Sequence, residues 1–175
     1  MTDNSSFWTD PFTDSDYFTG PALTDEMIAE ASQELGYRLP ASYIRLIKIK
    51  NGGELRRSCF PTSVPTSWAN DHVALSGIRG IGGTWGLTSG TLGNKEMIEE
   101  WGYPDVGIAV GECPSAGHDV IMLDYSECGP QGEPRVIHVE TETSDEPEVL
   151  VLAPDFETFL LGLVDASQFD SEEDA

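Results

Sequence analysis

An α+β fold built as one domain is what this sequence predicts, and three observations carry that expectation. Two stretches near the N-terminus and one near the C-terminus repeat their apolar residues at helical spacing. Between them lie short runs rich in Val, Ile, Leu and Tyr, broken by Gly- and Pro-containing segments, which read as strands. The 175 residues suit one domain with a core of its own.

The opening "MTDNSSFWTDPFTDSDYFTG", residues 1–20, mixes acids with Phe7, Trp8, Phe12, Tyr17 and Phe18. It reads as an irregular arm whose aromatics dock on the domain. "LTDEMIAEASQELG" reads as a helix: Thr24 suits the N-cap, Asp25 and Glu26 suit the positive end of the dipole, and Gly36 supplies the stop. Leu23 and Ile28 are spaced as a hydrophobic staple. "YRLPASYIRLIKIKNGG" reads as a second helix, with Pro40 at its first position and Tyr43, Ile44, Leu46 and Ile47 facing inward. Residues 58–72, with Pro61 and Pro65, read as a loop. "HVALSGI" reads as a strand, "NKEMIEEWG" as a short helix capped by Asn94, and "VGIAVGE" as another strand.

"HDVIMLDY" and "RVIHVE" flank the turn-forming "SECGPQGEP", so residues 118–125 and 135–140 are expected to pair as antiparallel strands. "VLVLA" follows as a further strand, and "PDFETFLLGLVDASQF" as a final helix with Phe156, Phe159, Leu160 and Leu163 buried. The domain is expected over residues 21–165, with residues 166–175 a solvated acidic tail.

Charge narrows the function. Nine basic residues against 31 acidic ones give a net charge of −22. Residues 1–95 hold 10 acids and 8 bases; residues 96–175 hold 21 acids and one base, Arg135. Such a chain repels phosphate backbones and anionic lipid surfaces, so direct nucleic-acid and membrane partners are disfavoured. A basic protein partner, steered by the negative field, fits instead. No apolar run reaches membrane-spanning length and the start lacks a secretory pattern. Three cysteines make a disulfide framework unexpected, which favours a reducing, cytoplasmic setting.

Motifs for chemistry fail one by one. In "GIRGIGGTWG" the sixth position counted from Gly80 is Trp85, so the dinucleotide pattern is absent, as are a Walker loop and a GxSxG elbow. The glycines read instead as a mobile loop. His72 beside Asp71, with Ser67 or Ser76, has nothing that orders it as a catalytic set. Along one strand His118 and Asp124 lie roughly 20 Å apart, and Asp119 and Asp124 face opposite ways. A zinc set of Cys113, His118, Cys128 and His138 has gaps of four, nine and nine residues, with no Cys-x₂-Cys pair, so these four are expected not to converge on a metal. No catalytic, cofactor or metal residue is assigned. Trp85, Glu112, Glu127 and Glu133 are the candidate partner-binding residues: Glu127 and Glu133 in the turn-rich loop, Glu112 where "VGIAVGE" gives way to the connection that follows, and one aromatic among glycines.

"LGYRLPASYIRLIKIKNGG", "GIAVGE", "GHDVIMLDYSECGPQGEPRVIHVE" and "LAPDFETFLLGL" occur in the order seen in the SUKH superfamily. The chain resembles its Smi/Knr branch over roughly residues 21–165, most of its length. That resemblance implies a mostly antiparallel sheet flanked by helices and a non-enzymatic role. Many bacterial members are thought to be immunity proteins that neutralise a toxin domain, often a nuclease. The alternative the family offers is a regulator or scaffold, after the yeast cell-wall synthesis regulators that name the branch. It carries over no catalytic residues, and its signature positions here (Leu39, Pro40, Tyr43, Gly52, Gly53, Asp119 and Asp124) are implied to be structural.

Overall fold

The computed structural model describes residues 7–9, 18–66, 69–90, 92–115, 117–142 and 145–170. The chain runs α1 (Asp25–Leu35), α2 (Ala41–Ile49), β1 (Cys59–Pro61), β2 (His72–Ala74), β3 (Gly77–Ile78), α3 (Asn94–Glu99), β4 (Gly107–Glu112), β5 (Asp119–Asp124), β6 (Arg135–Glu140), β7 (Glu148–Ala153), α4 (Phe156–Gly162) and α5 (Ser167–Asp170). Strands β3 to β7 form one antiparallel sheet in chain order, and β1 with β2 form a separate antiparallel pair. The fold is α+β, with a mostly antiparallel sheet.

Local chemistry sets the helix ends. The Thr24 hydroxyl accepts from the Met27 N–H at 3.1 Å, and Gly36, at φ 81°, sends its own N–H to the Ser32 carbonyl. Asp155 caps α4 in the same way through the Thr158 N–H. Pro40 stands one residue earlier than expected, as the N-cap of α2. Gly93, not Asn94, caps α3, because the Asn94 side chain turns inward and holds β4 at the Gly107 carbonyl and the Ala109 N–H.

Alternation divides the sheet into two faces. Ile121, Leu123 and Val136 join the larger core with Tyr43, Leu46, Ile47, Phe156 and Phe159, from α2 and α4. Val120, Met122, Ile137 and Val139 join a smaller one with Met97 and Tyr103, at and beyond α3. The expected pairing of 118–125 with 135–140 is present, running from Asp119 opposite Glu140 to Asp124 opposite Arg135.

Four readings change. Residues 58–72 are not loop throughout: Cys59–Pro61 pairs with His72–Ala74. "HVALSGI" is broken between the two sheets, β2 in one and β3 in the other. The final helix stops at Gly162, because Val164 exchanges both backbone hydrogen bonds with Cys59; α5 follows, and its Phe169 ring stacks on His72 at 3.8 Å. The Gly-rich segment is tied to the domain at Ile81. The buried Asn51 side chain donates to the Ile81 carbonyl at 2.7 Å and accepts from the Ile81 N–H at 2.8 Å. A Cβ on Gly80 would sit 2.4 Å from the Asn51 carbonyl oxygen, so only glycine permits that approach.

The arm is part of the domain where it is described. Trp8 is buried, donates its indole N–H to the Leu46 carbonyl at 3.1 Å and bridges to Leu55; Phe18 is buried against Trp85. Phe12 and Tyr17 lie outside the described residues.

Candidate functional site

At one end of the sheet, where β4 finishes and β5 begins, a cavity of about 380 Å³ is lined by Phe18, Trp85, Met97, Trp101, Arg79 and Glu112, with Cys113 among its other walls. Arg79 and Glu112 form its charged floor. The guanidinium donates from Nε to Glu112 Oε1 at 2.6 Å, pairs a second time through Nη2, and reaches the Leu92 carbonyl through Nη1. Arg79 is 1% exposed and Glu112 6%. The Arg79 guanidinium also lies over the Trp85 ring, 5.4 Å from its centroid. Tyr43 fixes the backbone beneath by donating its hydroxyl to the Arg79 carbonyl at 2.6 Å.

Beside the cavity sits a second buried polar group. Asp119, the first residue of β5, accepts from His138 of β6 at 2.6 Å and from the Ser115 hydroxyl. Burial opposes its charge, but those hydrogen bonds outweigh it and hold the carboxyl below the usual range. Cys113 closes the group. Burial, with Asp119 and Glu112 adding to it, pushes its thiol well up, so it stays protonated. The Cys113, Asp119 and His138 donor atoms lie within 4.8 Å of one another. Tyr103 donates its hydroxyl to the Gly117 carbonyl at 2.5 Å and covers this end.

The opposite end of the sheet is different. The β5–β6 hairpin loop carries Glu127 and Glu133, both exposed. They border a groove of about 490 Å³ shared with Asp124, Arg135 and Val151–Pro154. Arg135 Nε holds Asp124 Oδ2 at 2.8 Å and its Nη1 reaches Glu127 at 3.2 Å. Glu133 lies 3.8 Å from Arg38. Strand β7 is an edge of the sheet, with Val149 49% and Val151 48% exposed. A third depression, of about 480 Å³, is lined by Glu34, Glu96, Glu99 and Asp105 around Tyr37, with Lys95 its one cation.

The four residues singled out by sequence therefore separate into two places. Trp85 and Glu112 line the cavity; Glu127 and Glu133 border the groove at the other end. With Glu112 opposite Val120 and Gly107 opposite Asp124, most of β5 lies between them, roughly 13–17 Å at strand rise. Glu112 ends β4 as expected, but it is buried and neutralised by Arg79, so it is not available to a partner; this corrects its place among exposed acids. Trp85 is half-buried.

The zinc question also resolves differently from the four-residue set. Cys113 and His138 do come together, with Asp119. His118 is exposed and paired with Glu142 at 3.7 Å, and Cys128 is exposed on the hairpin loop. Asp119 and His138 were separable only within single strands. Across strands, Ile121 opposes His138, so Asp119 is its diagonal neighbour on the same face. That register was the signal that finds the pair. His72 Nδ1 contacts Asp71 at 2.8 Å; Ser67 lies outside the described residues, and Ser76 lines the cavity, donating its backbone N–H to Glu112 O.

A five-stranded antiparallel meander backed by helices, with a charged and aromatic cavity at one sheet end, defines an α+β domain of the kind the motifs suggested. The model of the SMI1/KNR4 family (SUKH-1) matches residues 22–162, and the chain belongs to that family. No curated protein matches the chain. Among the described residues, no helix is long and apolar enough to cross a membrane.

Proposed function

We propose that the chain is a non-catalytic binding protein that captures a basic protein partner, a cognate toxin domain of the nuclease type, and so acts as a cytoplasmic immunity protein. The observation that supports this reading is the hairpin end of the sheet. Exposed Glu127 and Glu133 border a groove beside an open edge strand with two exposed valines, within the half of the chain that carries 21 acids and one base. Long-range charge of one sign speeds encounter with a basic surface, and apolar contacts slow its release.

The test is binding kinetics with any candidate toxin domain encoded beside this chain, across a salt series. Glu127→Gln with Glu133→Gln slows association at low salt and leaves it little changed at high salt. Trp85→Ala leaves association unchanged and speeds dissociation if the partner also reaches the cavity. Association unaltered by the double substitution at every salt concentration puts the interface elsewhere. Failure to bind any neighbouring toxin domain favours the regulatory reading.

A further inference from the structure

We propose that Cys113, Asp119 and His138 form a binding site for one zinc ion, which clamps three consecutive strands together. The three residues come from the residue after β4, the first residue of β5 and the middle of β6. A sulfur, a carboxylate oxygen and a ring nitrogen within 4.8 Å of one another make a mixed donor set that zinc takes and that calcium and magnesium do not. With bonds of about 2.0–2.3 Å, tetrahedral zinc needs its donors roughly 3–4 Å apart; His138 Nε2 and Asp119 Oδ2, 2.6 Å apart, part to admit the ion, and the thiol, within 4.8 Å, closes on it.

Charge balance argues the same way. All three side chains are buried. On loading, Cys113 gives its thiol proton to solvent, the His138 Nε2 proton now donated to Asp119 leaves Nε2 as well, and the ring keeps one proton, on Nδ1. Thiolate and carboxylate then cancel the two charges of the ion, leaving a neutral unit in a medium that penalises net charge. The Ser115 hydroxyl already holds Asp119, as an outer partner that orients a ligand. Of the three, Cys113 lines the cavity, so the proposed ion would enter from that side, with a water as its fourth ligand.

The bare metal is the probe. Full-length chain stripped with chelator is titrated with Co²⁺, then Zn²⁺, and followed by absorption and by thermal unfolding. One equivalent of Co²⁺ should give thiolate-to-cobalt charge-transfer absorption and tetrahedral visible bands, displaced by Zn²⁺, and Zn²⁺ should raise Tm in a concentration-dependent way. Cys113→Ser abolishes the charge-transfer band, and His138→Gln weakens binding by more than about 10-fold. Cys128→Ser and His118→Gln, at exposed positions, leave both signals intact. The absence of cobalt bands and of a Tm shift in the unmutated chain overturns the proposal, leaving a hydrogen-bonded trio; this arm needs no variant to fold. Bands that persist in Cys113→Ser but vanish in Cys128→Ser or His118→Gln overturn it too, as surface binding. Because the readouts are metal absorption and stability, their failure leaves the binding-protein reading untouched.

Discussion

The two ends of the central sheet handle charge in opposite ways. At the cavity end, Arg79, Glu112, Asp119 and His138 are buried and meet one another in pairs. At the hairpin end, Glu127 and Glu133 stand in solvent, and the one cation of that half of the chain, Arg135, is shared between Asp124 and Glu127. Burial makes a pair indispensable once it exists, since removing one partner strands the other in a low dielectric. Exposure makes a pair almost free to lose, but leaves its field available to a partner. The difference places buried structural charges at one end and leaves the charges of the proposed recognition surface at the other.

The largest effect that tests this division is at Arg79. Arg79→Met leaves Glu112 buried and unpaired and should destabilise the fold by about 3–5 kcal/mol in urea unfolding. Adding Glu112→Gln removes the stranded charge and should recover much of that loss. A single variant that unfolds like the parent would break the comparison at its stronger side.

Asp124 sits between the two regimes: its own side chain is buried, while Arg135 is partly exposed. Burial opposes its charge. The Ser126 N–H at 2.8 Å and the Arg135 guanidinium more than offset this and hold the carboxyl below its usual range. Because the folded value is depressed, the stabilisation is fully present above the ordinary carboxylate value of about 3.9 and is lost as pH falls through the folded value. Asp124→Asn should cost about 1.5–3 kcal/mol at pH 7. The gap between parent and variant should close as pH falls below about 4. A gap that stays constant down to the acid limit would show that the ion pair contributes nothing to stability.

How much of this was legible in the sequence follows from the range of the interactions involved. Thr24, Gly36 and the Pro- and Gly-marked turn at 126–134 act on neighbours within a few residues, so α1 and the β5–β6 hairpin are readable directly. Cys59–Pro61 was not, because three residues ending in proline carry no strand signal until β2 and Val164 supply partners. Gly80 reads as loop chemistry, yet its cause is Asn51, 29 residues earlier. The acids show the same limit. Glu112 and Glu127 look alike in the chain; only the approach of Arg79, 33 residues away, makes one a buried anchor. His138 and Asp119 needed the strand register before they became neighbours.

The smallest effect is expected at the exposed acids of the hairpin loop. Glu127→Gln with Glu133→Gln removes two exposed ion pairs, to Arg135 and to Arg38. Each exposed pair contributes about 0.2–1 kcal/mol. Loss of the Glu133 charge also has a gain. Although Glu133 is exposed, partial desolvation raises its carboxyl most; Arg38 pulls it down, Asp155 and Glu157 push it up again, and the net is a raised value. Its ionised form is therefore less favoured than in water, so neutralising it relieves repulsion. Loss and relief oppose each other, and unfolding stability should move by less than about 0.5 kcal/mol. Added salt should shrink the ion-pair part of that difference, because exposed charges are screened. Urea unfolding of the double variant at low and high salt checks it. A loss above about 2 kcal/mol would place these glutamates among the structural charges. Near-neutral stability combined with slowed association would leave the hairpin end free for recognition.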